Sequence, residues 1–83
     1  MALPATKAKK LSYALQYELD HLPQKIEILT QKINQLESAL DDPNLFARDA
    51  KRFHSITIEL QAVRDNLVAA EIRWLELLDL SQL

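Results

Sequence analysis

An all-α chain folded as an antiparallel two-stranded coiled-coil hairpin is the architecture this sequence predicts, and three observations predict it. Apolar residues recur at alternating intervals of three and four through two long stretches. One turn rich in Asp, Asn and Pro, at residues 41–49, separates those stretches. Hydrophobic residues make up 48% of the 83-residue chain but aromatics only 6%, a balance suited to long helices packed through aliphatic seams.

Residues 1–10 carry Pro4, small residues and Lys7, Lys9 and Lys10, and read as a basic lead-in preceding a hairpin domain at 11–83. Leu11, Leu15, Leu19 and Leu22 then fall on one face of a short helix over 12–22, with Ser12 as its N-cap. Pro23 marks the end of that helix and can open the next, because a first-turn residue needs no N–H. The second helix, 23–40, carries Ile26, Leu29, Ile33, Leu36 and Leu40 as a heptad seam. In the turn, Leu45 and Phe46 are expected to fold back over the end of the seam. Asp49 then caps a third helix over 50–80, whose seam is Phe53, Ile56, Leu60, Val63, Leu67, Ala70, Trp74 and Leu77. Trp74 is at seam spacing, a core residue whose indole N–H reaches outward.

Lengths pair these elements. At 1.5 Å per residue the third helix spans about 45 Å, and the first two together about 40 Å. Two shorter helices, broken at Pro23, should therefore pack along one unbroken partner. The favoured register sets Leu36 against Phe53, Ile33 against Ile56, Leu29 against Leu60 and Ile26 against Val63. It continues through Leu22–Leu67, Leu19–Ala70 and Leu15–Trp74. Lys32 then flanks the seam opposite Glu59, whereas a slide of one heptad sets Lys25 against Arg73, two like charges.

Composition also narrows function. Without Cys there is no disulfide framework, thiolate metal site or Cys nucleophile, and without Gly no Gly-rich phosphate loop or nucleophile elbow. Ten Lys and Arg against twelve Asp and Glu leave a net charge of −2, so any nucleic-acid contact must rest on a local patch. No run approaches the roughly 18 apolar residues of a membrane span, and the opening residues lack the apolar core of a secretory leader. A non-enzymatic domain in the cytoplasm, bound to no membrane, is the expectation.

The residues outside the seam carry a resemblance. Lys10-Leu11-Ser12-Tyr13, Gln16, Glu18-Leu19 and Leu22-Pro23 resemble the opening of the C-terminal coiled-coil domain of ABC-F ATPases, particularly the Uup type. Asp42-Pro43, Leu45-Phe46-Ala47-Arg48-Asp49 and Phe53 are similar to that family's hairpin tip, and Arg73-Trp74-Leu75-Glu76-Leu77 to its closing segment. The likeness covers about residues 9–80. It implies a fragment of a larger cytoplasmic protein with two ATP-binding cassettes in one chain and no membrane domain. That family is associated with ribosomes and translation, and its Uup-type C-terminal domain with DNA. The resemblance thus implies no cofactor for this piece, since ATP would belong to cassettes that it does not contain.

Two basic clusters are the candidate nucleic-acid contacts: Arg48, Lys51 and Arg52 at the tip, and Lys7, Lys9 and Lys10 in the lead-in. Lys51 and Arg52 stand in the first helical turn, where the helix dipole disfavours cations, so stability alone does not explain them. The expected partner is DNA or RNA, bound weakly and without sequence preference, with the ribosome as one source of RNA. The alternative is a structural or protein-interaction arm docking on its parent's own cassettes or on another protein. A monomeric hairpin is expected, with dimerisation through Ile28, Ile58, Val68, Ile72 and Leu75 as the other outcome. Tyr13 and Tyr17, four apart, are read mainly as covering the seam edge and secondarily as base-stacking rings. His21 and His54 should lie at opposite ends, too far apart to share a metal.

Overall fold

The computed structural model describes residues 11–82, and the lead-in cluster Lys7, Lys9 and Lys10 lies outside them. Three helices follow one another: α1 over Tyr13–Leu40, α2 over Leu45–Arg48 and α3 over Ala50–Ser81. The long helices α1 and α3 pack antiparallel along each other, and α2 lies across the start of α3. Both expected N-caps are in place. The Ser12 hydroxyl accepts from the Leu15 N–H at 3.2 Å, and the Asp49 carboxylate accepts from the Arg52 N–H at 3.0 Å.

The expected break at Pro23 does not occur: α1 is one helix of 28 residues with Pro23 inside it. The missing N–H leaves the Leu19 carbonyl without its helical donor, and an interior proline typically costs about 3 kcal/mol. Pro23 is exposed, so its ring meets no neighbouring helix. The seam keeps its phase on both sides of the proline, with Leu19, Leu22, Ile26 and Leu29 all packed into one cluster against α3. Tertiary burial of those residues, at roughly 1.5–3 kcal/mol each, outweighs the local defect. The uninterrupted α3 acts as a splint.

The register also differs from the favoured one, by one heptad. Arg64 donates to Glu37 across the hairpin, two residues that the expected register would hold about 18 Å apart along the axis. Leu77 is fully buried, in a cluster with Leu22 and Ala70 that Leu15, Leu19, Ile26, Leu29 and Trp74 complete. The expected register places Leu77 level with Ser12, beyond the end of the partner seam. The observed one instead brings Leu19 level with Leu77, Leu22 with Trp74, Ile26 with Ala70 and Leu29 with Leu67. It continues through Ile33–Val63 and Leu36–Leu60 to Leu40–Ile56.

Three facts explain the slide. It buries Leu77, the last seam position of α3, completely and Leu40, the last of α1, in part. It leaves Phe53 beyond the end of α1, and α2 covers it there: the Phe46 and Phe53 rings meet edge to face with centroids 5.3 Å apart. The feared repulsion between Lys25 and Arg73 is absorbed by Glu18, which lines the same groove as both. Arg73 grips Glu18 with two parallel hydrogen bonds, Nε to Oε2 at 2.7 Å and Nη2 to Oε1 at 3.1 Å. Lys32 and Glu59 still pair, at 3.1 Å, because long flanking side chains reach either of two partners. That contact therefore does not discriminate between registers.

Candidate nucleic-acid interface

The tip is built on Asp42. Its Oδ1 accepts the Asn44 N–H at 2.9 Å, closing an Asx turn, and its Oδ2 accepts from Arg48 Nη2 at 2.9 Å. The Asn44 N–H and then the Arg48 guanidinium hold the Asp42 carboxyl below its ordinary range, against a smaller opposing effect of desolvation. The Leu45 N–H bonds the Asp42 carbonyl at 3.1 Å, and the Asp49 N–H bonds the Leu45 carbonyl at 2.7 Å. A four-residue helix is too short to persist alone. Here it is held by Asp42 at one end and by the buried Leu45 side chain, only 4% exposed, underneath.

Of the two residues expected to fold over the seam, Leu45 does so and Phe46 does not. Phe46 is 61% exposed. Its ring touches Phe53 edge to face and shares a shallow depression with Ala50, Lys51, His54 and Ser55. Sequence reasoning passed over Phe46 as a functional candidate; the available signal was that one turn of helix cannot point two adjacent apolar residues the same way.

The three predicted tip cations all fall at this end, in unequal circumstances. Arg48 is tied to Asp42, although its side chain remains 63% exposed. Lys51 and Arg52 are exposed in the first turn of α3, and among the described residues neither makes an ion pair. The first turn of α3 contains no acidic residue; Asp49 beside it is engaged as the cap. The other described arginines, Arg64 and Arg73, are matched across the seam with Glu37 and Glu18.

Tyr13 and Tyr17 are 86% and 54% exposed. Tyr17 lines a hollow with the buried seam residue Leu22 and stacks on His21 at 3.9 Å between centroids. The His21 Nδ1 lies 2.7 Å from the Tyr17 carbonyl, which accepts a hydrogen bond from it. Among the described residues no three His, Asp or Glu side chains gather as a metal site, and no helix is long and apolar enough to cross a membrane.

A two-helix rod closed by a capped, charged tip is the form of an accessory arm, and the sequence carries the corresponding family signature: the ABC transporter C-terminal domain model matches residues 10–79. The chain belongs to that family. The resemblance to Uup-type ABC-F members is matched by its relatives. It is 33% identical over 67 residues to the ATP-binding protein Uup of Escherichia coli K12, covering 81% of this chain and 11% of that protein. It is 41% identical over 75 residues to the ATP-binding protein Uup of Haemophilus influenzae, covering 86% of this chain and 11% of the relative. A Uup-like ATP-binding protein of the same organism matches equally well, over 16% of its length. The chain thus spans a small fraction of the relatives it matches. No solved structure matches it.

Proposed function

We propose that this chain is a non-catalytic accessory arm of a cytoplasmic ABC-F ATPase that associates with nucleic acid, DNA or ribosomal RNA, through its basic residues. Lys51 and Arg52 are the principal contacts at the tip, with the outer edge of Arg48 beside them. Lys7, Lys9 and Lys10 form the second set, in the lead-in. The observation that carries the reading is the asymmetry among cations: Arg64 and Arg73 are matched across the hairpin, while Lys51 and Arg52 are left exposed where the helix dipole opposes them. Phosphate oxygens would relieve both the charge and the dipole penalty. The parent's cassettes would supply ATP chemistry; the arm would supply reach, since α3 alone spans about 48 Å at 1.5 Å per residue.

Such binding is weak, indifferent to sequence and steeply dependent on salt. Fluorescence anisotropy with labelled duplex DNA and structured RNA across a salt series tests it. The Lys51→Gln/Arg52→Gln double variant should weaken binding and reduce the slope of log K against log salt by up to about 2. Sparing Arg48 leaves the Asp42 contact that holds the tip. No affinity for either nucleic acid at low salt would sink the reading for this chain.

One observation favours a second reading, a protein-docking arm. Val68, Ile72 and Leu75 form an exposed apolar row on the outer face of α3, at 54%, 53% and 57% exposure. A titration against the parent's purified cassettes, beside the one against nucleic acid, separates the two.

A further inference from the structure

We infer that Phe46 is a base-stacking contact, so that the tip takes nucleic acid carrying unpaired bases in preference to uniform duplex. This deepens the nucleic-acid reading above and rests on it. Phe46 is a large apolar side chain that the fold leaves 61% exposed while its neighbour Leu45 is buried. Its placement is fixed: the Asx turn, the Arg48–Asp42 pair and the Leu45 anchor determine the course of α2 on both sides of it. The one ring it meets, Phe53, stands perpendicular at 90°, an edge contact that leaves Phe46 with an open π-face. A cation lies close by, for Phe46 and Lys51 line the same depression, with His54 beside them.

An exposed ring next to unpaired positive charge is the combination that single-stranded nucleic acid uses, the base on the ring and its phosphates on the cations. A base inside an intact duplex presents no free face, so regular duplex can satisfy Lys51 and Arg52 but not Phe46. A bulge, loop or single strand satisfies all three. Of the other exposed rings, Tyr17 is stacked on His21 and Tyr13, though more exposed, adjoins only Tyr17 at 6.4 Å between centroids; the described cation nearest in sequence to that row, Lys25, lies beside Glu18.

The test is anisotropy of the chain with two DNA duplexes of equal length, one fully paired and one with a three-nucleotide bulge carrying 2-aminopurine. The bulged duplex should bind about tenfold tighter, and the 2-aminopurine fluorescence should be quenched on binding. Phe46→Ala should lose about that tenfold on the bulged duplex, within the range expected for one stacked base, with little change on the paired one. Phe46→Trp should restore binding, and the salt slope of all variants should stay the same. Circular dichroism of Phe46→Ala verifies that the hairpin is intact; if it is not, Phe46→Leu, which keeps the apolar bulk without the ring, makes the same comparison. Equal affinity for both duplexes with a normal salt slope, or Leu performing as well as Phe, overturns the stacking role and leaves the electrostatic reading standing. No binding to either duplex at low salt overturns both.

Discussion

At the open end of the hairpin Arg73 is held by two carboxylates, Glu18 across the seam and Glu76 at 3.5 Å on its own helix. At the tip Lys51 and Arg52 face solvent with no acid paired to them among the described residues. The apolar residues divide in the same way. The open end buries Leu22, Ala70 and Leu77 in one cluster, whereas the tip anchors itself on Leu45 and leaves Phe46 outside. One end of the rod spends its side chains on cohesion, and the other keeps some of them in reserve. In a hairpin two helices wide, that separation along the axis concentrates cohesion at the open end and leaves Lys51, Arg52 and Phe46 exposed at the tip.

The sharpest way to break the comparison is to cut each anchor. Leu77→Ala should cost roughly 3–5 kcal/mol, because a fully buried leucine in a two-helix seam leaves a gap that little else can fill. Urea denaturation followed by circular dichroism measures it. Leu45→Ala should cost about 2 kcal/mol, at the low end for such substitutions, since α2 can settle into the space. Its effect should appear chiefly in tip amide exchange. Equal losses at the two sites would mean that the ends are energetically alike.

Register is tested by covalent chemistry, which the absence of native cysteine makes clean. A chain carrying Leu36→Cys and Leu60→Cys should oxidise nearly completely to an intramolecular disulfide. One carrying Leu36→Cys and Phe53→Cys should stay reduced, because those positions stand about 10 Å apart along the axis. The reverse outcome would return the hairpin to the register that flanking charge alone suggested.

Most of the fold was legible because a 3–4 spacing is a local record of one helical face. The seam, the caps at Ser12 and Asp49 and the turn after Leu40 all follow from it. What was not legible depends on more than two residues at once. The Lys25–Arg73 repulsion looks decisive as a pair and vanishes once Glu18 sits in the same groove. Pro23 ends a helix by local rules, yet α3 holds both sides in line. Leu45 and Phe46 are interchangeable by hydropathy, and only the Asp42 lock decides which one turns inward. Among the candidate site residues, the sequence singles out Arg48, Lys51 and Arg52 alike; the Asp42 contact that distinguishes Arg48 needed coordinates.

Removing the defect at Pro23 sharpens the account of the open end. Pro23→Ala restores an N–H opposite the Leu19 carbonyl and should stabilise the chain by about 1–3 kcal/mol, raising the melting temperature. The gain is limited because proline also restricts the unfolded chain. A loss of stability would mean that Pro23 contributes more by restricting the unfolded chain than its missing N–H costs the folded one.

The smallest effect expected is in acid. The Glu18 carboxyl is held below its ordinary value of 4.5, first by the hydrogen bond from Arg73 and further by the charges of Arg73 and Lys25, with desolvation opposing. Asp42 is held below 3.8 by the Asn44 N–H and Arg48. In both cases the folded state binds protons less readily than the unfolded one. The stabilisation is therefore present above the ordinary value and is lost as pH falls through the lower, folded one. Wild type should lose stability first below about pH 4.5, as the Glu18 contribution fades, and further below about 3.8 as that of Asp42 does. Glu18→Gln should flatten the upper part of that decline and Asp42→Asn the lower, each read from urea midpoints across pH. Raising the salt to 1 M shortens the Debye length to about 3 Å and should shrink the Coulombic share of the Glu18 effect, while the Asp42 bond to a backbone N–H persists. If Glu18→Gln leaves the acid limb where it was, the Arg73 clamp contributes nothing net, and the leucine cluster alone holds the open end.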